Sequence, residues 1–203
     1  MKSMKLNLKG DGPISYDIRI GYDILEHIGQ IMKELNTSRR NALITDANVS
    51  ALYGDRFLKE LKKSGLDIDM IEFPAGEASK NINTVLAIVR QLLKLGADRK
   101  SALIALGGGV VGDITGFVAS LYMRSIPYIQ IPTTLLAQVD SSIGGKTAID
   151  LEEGKNLLGA FYQPRAVLTD TIFLETLPDE EFGNGLSEIV KYGIIDRQEL
   201  FQL

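Results

Sequence analysis

Ala102-Leu103-Ile104-Ala105-Leu106-Gly107-Gly108-Gly109-Val110-Val111-Gly112-Asp113 decides the fold. An apolar run, three glycines and a further apolar stretch read as strand, tight loop and helix. Gly107, Gly109 and Gly112 have the dinucleotide-binding spacing in the context that motif requires. Glycines let the backbone approach a pyrophosphate, and the start of the helix offers free N–H groups at its positive dipole end. A tight strand-to-helix turn without a ligand would also need glycines, so the motif leaves both readings open.

Strands and helices alternate on either side of this stretch. Upstream, Ala42 to Thr45 reads as a strand, Phe57 to Lys63 as a helix closed by Gly65, Ile68 to Phe73 as a strand, and Asn83 to Leu95 as a helix ending at Gly96. Downstream come the helix Val110 to Tyr122 and the strand Tyr128 to Ile131. This order predicts an α/β fold with a Rossmann-like, mostly parallel sheet and flanking helices. Nearer the N-terminus, Ile24, Leu25, Ile28, Ile31, Met32 and Leu35 recur at helical spacing. Before them, Leu6 to Lys9 and Tyr16 to Ile20 alternate around Asp11-Gly12-Pro13, which predicts an antiparallel strand pair joined by a turn. After Pro178 the pattern is helical with no further strand. The expected division is a nucleotide-binding α/β domain over residues 1–177 and the first helix of a second, helical domain over 178–203.

Composition narrows the function classes. The 203 residues are 45% hydrophobic and 24% charged, with a formal net charge of -4, so no global field attracts nucleic acid or an anionic membrane. Arg39-Arg40 is the nearest approach to a basic cluster. No apolar run approaches the ~20 residues that span a bilayer. Met1-Lys2-Ser3-Met4-Lys5 leads into alternating residues and not into an apolar signal core. Cysteine is absent, which excludes a disulfide framework and fits a reducing compartment. The expectation is a cytoplasmic domain with no nucleic-acid or membrane partner.

The glycine motif departs from the usual dinucleotide-binding pattern. It follows a late strand, and no Asp or Glu occurs between Asp113 and Asp140 to hold a ribose ~20 residues downstream. The ribose partner must come from elsewhere: Asp46 follows one strand, and Pro74-Ala75-Gly76-Glu77-Ala78-Ser79-Lys80 follows another, offering Glu77 and Lys80. Both lie at C-terminal strand ends, where open α/β sheets bind ligands. Asp140-Ser141-Ser142-Ile143-Gly144-Gly145-Lys146-Thr147 looks like a P-loop, but Asp140 stands where that loop has its first glycine. A carboxylate there repels phosphate, and Thr133 to Val139 before it reads as helix, so an NTPase is rejected. Lys146 still offers a point charge to a phosphate or carboxylate.

Taken with Ile131-Pro132-Thr133-Thr134-Leu135-Leu136-Ala137, Gly154-Lys155-Asn156-Leu157, Gly159-Ala160-Phe161-Tyr162-Gln163-Pro164 and Gly185-Leu186-Ser187-Glu188-Ile189-Val190-Lys191-Tyr192-Gly193, these segments resemble the 3-dehydroquinate synthase family over nearly the whole chain. Asp179-Glu180 departs from the family pattern where a basic residue is expected, and Gly183-Asn184 where small residues are usual.

The resemblance implies a phosphate lyase of the shikimate pathway that converts 3-deoxy-D-arabino-heptulosonate 7-phosphate to 3-dehydroquinate, in the synthesis of chorismate and aromatic amino acids. It implies NAD, which oxidises a ring hydroxyl and later returns the hydride, and zinc or cobalt. Cofactor contacts would fall on Asp46, Asn48, Glu77, Lys80, Gly108, Gly109, Val110, Asp113, Thr133, Thr134, Lys146, Lys155, Phe173 and Thr176. Arg124, Asp140, Lys146, Asn156 and Lys191 would serve the substrate, with Arg124 reaching a neighbouring subunit of a homodimer. Glu188 would be a metal ligand. Glu188, Lys191 and Tyr192 share one helix face. Read without the resemblance, Glu188 and Lys191 make an ordinary solvated ion pair. The family takes two more ligands, both histidines, from its second domain, whereas the one histidine here is His27, outside every motif. The expectation is an incomplete metal site and a chain inactive alone. Alternatives are another sugar-phosphate cyclase, such as 2-deoxy-scyllo-inosose synthase or a valiolone-type cyclase, and a non-catalytic nucleotide-binding module.

Overall fold

The computed structural model describes residues 1–8, 14–35, 40–66 and 68–202. Asp11-Gly12-Pro13, the turn expected between the first two strands, lies outside the described residues, as do Arg39 and Leu203.

In chain order the main elements are β1 (Lys2–Leu8), β2 (Ile14–Gly21), α1 (Ile28–Glu34), β3 (Asn41–Asp46), the single turn α2 (Ala47–Val49), α3 (Asp55–Lys63), β4 (Ile68–Phe73), α4 (Ile82–Lys94), β5 (Leu103–Gly107), α5 (Gly109–Leu121), β6 (Tyr128–Pro132), β7 (Lys146–Leu151), β8 (Gly154–Phe161), β9 (Ala166–Asp170) and α6 (Asp179–Ile195). Seven strands form one sheet in the order β1-β2-β9-β6-β5-β3-β4. β1 runs antiparallel to β2, with Leu6 opposite Tyr16, and every other pairing in the sheet is parallel. The expected antiparallel pair and parallel sheet are therefore both present.

The central strands β3, β5, β6 and β9 are buried on both faces, and alternate residues of β3 and β5 feed two cores. Leu103 and Ala105 join Ala42 and Ile44 beneath α4 and α5, which contribute Ile88, Leu92, Ile114 and Val118. Ile104 and Leu106 join Leu43 on the other face, beneath α1 and α3, with Ile28, Phe57 and Leu61. The glycines read as helix stops behave as such. Gly65 and Gly96 adopt φ of 78° and 68°, and the next residues bond back into the helix, Leu66 N–H to Leu61 O and Ala97 N–H to Leu92 O, each at 3.0 Å.

Two features were not anticipated from the sequence. β7 and β8 form a separate antiparallel hairpin, where the pattern gave no strands, and β9 inserts between β2 and β6. The helical spacing from Ile24 to Leu35 yields a shorter α-helix than it suggests: Leu25–His27 is a 3-10 turn, and α1 starts at Ile28. Asp170, at the end of β9 and 0% exposed, accepts the N–H groups of Asp23, Ile24 and Ile172 at 2.8–3.1 Å. That one carboxylate ties the exit of β2 to the exit of β9. Among the described residues no helix is long and apolar enough to cross a membrane.

Candidate functional site

The topology gives the site its place. From β3 the chain steps out to β4 at the edge, then returns to the other side of β3 with β5, followed by β6. The sheet therefore has its switch point between β3 and β5, and a crevice opens there at the C-terminal strand ends. Asp46 ends β3 and Gly107 ends β5. The glycine loop thus lies at the position where open sheets of this kind receive nucleotides.

The loop needs its glycines for space and not for an unusual backbone, since no glycine from Gly107 to Gly112 has a positive φ. A Cβ on Gly107 would lie 2.4 Å from Val111 Cγ2, and one on Gly112 would lie 2.8 Å from Gln130 Oε1. Those two let helix and sheet approach. Gly108 and Gly109 are different. Gly108 caps α5 without any side-chain bond to the free N–H groups. Cβ atoms at 108 and 109 would crowd Thr134 Cγ2 at 3.0 Å and Ser141 Oγ at 3.1 Å. The result is a bare cradle of backbone donors at a helix start, which fits a pyrophosphate.

One turn into α5, Asp113 meets Lys80. Lys80 Nζ lies 2.6 Å from the Asp113 carboxylate and donates to Asn156 Oδ1 at 2.6 Å. Burial pushes the Asp113 carboxyl above its ordinary range, and Lys80 pulls it back. Asn156 sits in β8 with φ of 57°, held there by its backbone N–H, which donates to Asp150 Oδ1 at 2.8 Å. The hairpin therefore swings its own residues against the glycine-loop helix. Asp113, Asp140, Lys146 and Asn156 line one cleft of about 490 Å³. A second cleft, lined by Glu77, Lys80 and Asp150, lies on the other side of Lys80. Lys155 caps its rim in an exposed pair with Glu77 at 3.0 Å.

The structure thus brings Asp140, Lys146 and Asn156 together with Asp113. Thr133 donates its N–H to Gly107 O at 3.0 Å, and Thr134 Oγ1 accepts from Ala137 N–H at 3.2 Å, so both flank the cradle. Asp46 spends one carboxylate oxygen on capping α2, accepting from the N–H groups of Asn48 and Val49. Phe173 is not available as a side-chain contact: its ring is 1% exposed and packs edge-on to Tyr53, with centroids 4.8 Å apart. Thr176 hydroxyl bonds to that same Tyr53 hydroxyl. Arg124 is far from the cleft. It follows the opposite end of α5, a helix about 20 Å long, and is exposed.

Glu188 and Lys191 pair on α6. Glu188 Oε1 is buried, and the cation that meets it is the Lys191 ammonium. Among the described residues, however, no three His, Cys, Asp or Glu side chains gather to hold a metal, and the ammonium of Lys191 already faces the carboxylate. A structural site needs about four ligands and a catalytic one about three, so the described residues do not by themselves fit a metal centre.

Sequence reading missed the hairpin wall of the cleft. Its turn, Glu152-Glu153 between the paired Leu151 and Gly154, lacks the glycine or asparagine that marks a two-residue hairpin. It also gave Tyr192 no role, although its hydroxyl donates to Asp140 Oδ1 at 2.9 Å. Burial, that bond and nearby Glu188 together raise the hydroxyl's pKa.

A mostly parallel sheet with a bare glycine cradle at its switch point and a polar cleft beside it defines a Rossmann-like α/β protein. Residues 70–184 match the 3-dehydroquinate synthase N-terminal family, and the chain belongs to that family. It is 48% identical over 202 residues to the 3-dehydroquinate synthase of Clostridium acetobutylicum, covering 100% of this chain and 56% of the relative. It thus spans about half the length of the curated relatives it matches. Among solved structures, 2-epi-5-epi-valiolone synthase from Streptomyces hygroscopicus, with NAD+ and Zn2+ bound, superposes with a TM-score of 0.87 at 33% identity, covering 97% of this chain and 54% of that one. A 2-deoxy-scyllo-inosose synthase complexed with carbaglucose-6-phosphate, NAD+ and Co2+ superposes with a TM-score of 0.83 at 29% identity, covering 94% and 51%.

Proposed function

We propose that this chain is the nucleotide-binding part of a 3-dehydroquinate synthase. It would work on 3-deoxy-D-arabino-heptulosonate 7-phosphate with NAD. The observation that carries the reading is the cleft in which Asp140, Lys146 and Asn156 meet Asp113 beside the glycine cradle. The match to curated 3-dehydroquinate synthases at 48% identity favours that substrate over those of the cyclases at 29% and 33%.

In this reading the pyrophosphate lies on the backbone N–H groups of Gly108, Gly109 and Val110. Asp46, Asn48, Glu77, Lys80 and Lys155 face the ribose and adenine side, and Thr133, Thr134 and Thr176 border the cleft. Bound NAD supplies a hydride acceptor that is regenerated within one turnover. The residues of the chain orient the substrate. Asp140 accepts a hydrogen bond from a ring hydroxyl. Lys146 and Lys191 balance the charge of a substrate that carries both a phosphate and a carboxylate, and Asn156 donates an amide N–H. Closing this cleft strengthens each of those contacts by removing water.

Glu188 is proposed as one ligand of a divalent zinc or cobalt ion. Its remaining ligands would come from the part of the relatives' length that this chain does not span, and residues 178–203 would begin that second domain. Arg124 is proposed to serve a partner subunit. The test is phosphate release from the heptulosonate phosphate with NAD and zinc, by the 203-residue chain alone and mixed with the second half of a relative. Activity only in the mixture supports the reading. Turnover of another sugar phosphate in preference would overturn the substrate assignment, and failure of the chain to bind NAD would overturn the reading as a whole.

A further inference from the structure

α6 is fixed to the sheet domain along one stripe. Gly185, Glu188 and Tyr192 stand at i, i+3 and i+7 and share a face. At Gly185 the helix comes so close that a Cβ would lie 2.5 Å from Leu135 Cβ and 2.7 Å from Leu136 N. Two turns on, the Tyr192 hydroxyl donates to Asp140 Oδ1 at 2.9 Å. Leu135, Leu136 and Asp140 belong to one continuous helical segment that ends in the π-helical turn Ala137–Ser141. α6 is therefore held to a single rigid element at two points about 10 Å apart. Glu188 falls between them, with its buried Oε1 paired to Lys191.

We propose that Tyr192 is a positioning residue of the site, whose hydroxyl sets the Asp140 carboxylate and the α6 carboxylate of Glu188 in one frame. This rests on the reading of Asp140 and Glu188 proposed above and deepens it. A tyrosine hydroxyl has one proton to donate. Given to Asp140 Oδ1, it takes up one lone pair of that carboxylate and fixes its rotamer, so that the other oxygen is presented to the cleft lined by Lys146 and Asn156. The ring meanwhile packs under Lys191, whose Nζ lies 5.2 Å from its centroid, and Lys191 in turn pairs with Glu188. One side chain thus reaches Asp140 and Lys191 directly and Glu188 through Lys191. Its weak partner is geometry: without the hydroxyl, the Gly185 contact alone lets α6 pivot, and Glu188 moves with it.

The test uses Tyr192→Phe, Asp140→Ala and Asp140→Asn in the 203-residue chain, with amide hydrogen exchange of residues 179–195 and the tyrosine 13Cζ resonances as readouts. Tyr192→Phe and Asp140→Ala should each speed exchange in the α6 segment about tenfold, the loss expected for one hydrogen bond to a carboxylate. The double variant should be no faster than either single one. Asp140→Asn keeps an Oδ1 acceptor, so exchange should stay within about twofold of the parent and the Tyr192 13Cζ resonance should hardly move, whereas Asp140→Ala shifts it. A merely packed tyrosine would show a 13Cζ resonance indifferent to residue 140. Unchanged exchange in Tyr192→Phe, or additive effects in the double variant, would overturn the proposal. NAD binding by Tyr192→Phe, followed by calorimetry, should stay within about twofold, because the glycine cradle keeps its own contacts. Absence of NAD binding in the parent sinks the functional reading and leaves the exchange result to stand or fall separately.

Discussion

Lys80 Nζ lies 2.6 Å from the Asp113 carboxylate, and the two side chains meet from separate elements where both are largely shut off from water. Lys80 is 6% exposed. Its position is set by a second acceptor, Asn156 Oδ1, so a loop, the helix α5 and the strand β8 converge on one ammonium group. Removing one member of such a pair strands the other charge. Lys80→Met should cost about 3 kcal/mol, read by urea unfolding at neutral pH. A loss within error would mean that the pair is solvated and that the two clefts are continuous.

The same pair gives a pH signature. The Asp113 carboxyl is raised above its ordinary value of 3.8, by burial first, with Lys80 opposing. A group whose folded pKa is raised contributes stability that is full below its unfolded value and is lost as pH rises through the folded one. The stability difference between the parent and Asp113→Asn should therefore grow in the parent's favour as pH falls from 7 toward 3.8. Paired urea titrations at both ends of that window measure it. A difference that shrinks toward acid would mean that the Lys80 attraction outweighs burial.

The glycines of α5 separate packing from binding. A Cβ at Gly116 would lie 2.4 Å from Thr147 Cγ2 and 3.0 Å from the Tyr128 hydroxyl, so Gly116→Val forces the hairpin off the helix. It should cost about 1–3 kcal/mol. At Gly109 the nearest obstacle is Ser141 Oγ at 3.1 Å, a small side chain that can rotate. Gly109→Leu should keep its unfolding midpoint near the parent's while NAD affinity falls at least about a hundredfold, since the backbone can no longer approach a pyrophosphate. Calorimetry showing undiminished NAD binding would place the cofactor elsewhere.

Why the glycine loop was legible and the cleft was not follows from where the signal resides. Leu103 to Gly107, Gly65 and Gly96 announce themselves locally, through a buried apolar run and through backbone positions that only glycine fills well. The segment after Ser142 does not. Its strands are partly exposed, β8 above all, so no clean alternation marks them, and Gly144 and Gly145, with φ of 96° and 68°, read as the glycines of a phosphate loop when they turn the chain into β7. β9 is only five buried residues, a run too short for periodicity to set it apart from a buried loop. Lys146 stood out as a point charge, Asp140 and Asn156 were named as substrate residues through resemblance, and the hairpin that carries Lys146 and Asn156 toward Asp113 is a tertiary fact. Phe173 shows the converse: motif position alone put a core ring into the cofactor cleft.

Arg124 offers a test of assembly. Met123, Arg124 and Ser125 have φ of 51°, 70° and 99° in succession, a run that non-glycine residues enter only under constraint. Exposed Leu121 and Met123 flank the arginine. If a partner copy takes this tip, light scattering should give twice the chain mass at micromolar concentration, and Leu121→Glu should return it to the monomer mass with the unfolding midpoint unchanged. Only monomer at the highest soluble concentration would count against a homodimer through this surface.

The metal prediction follows from α6. Glu188 is a single carboxylate in a place where about three ligands are needed, and Lys191 faces it as a built-in competitor. His27 cannot help: it lies in the turn Leu25–His27 on the α1 side of the sheet, next to Glu26 at 3.9 Å. Zinc added to the 203-residue chain with NAD present should therefore bind no more tightly than ~10 μM, the range of adventitious surface sites, and Glu188→Gln should change that affinity by less than about twofold. Lys191→Met removes the competing cation and leaves the buried Oε1 of Glu188 without a counter-charge, so it should tighten zinc about threefold or more and make the tightening vanish in the double variant with Glu188→Gln. Competition with a chromogenic chelator reads all four proteins in one format. Sub-micromolar zinc in the parent that is lost in Glu188→Gln would show that these 203 residues assemble a complete metal site, and the second set of ligands would then have to be sought within this chain.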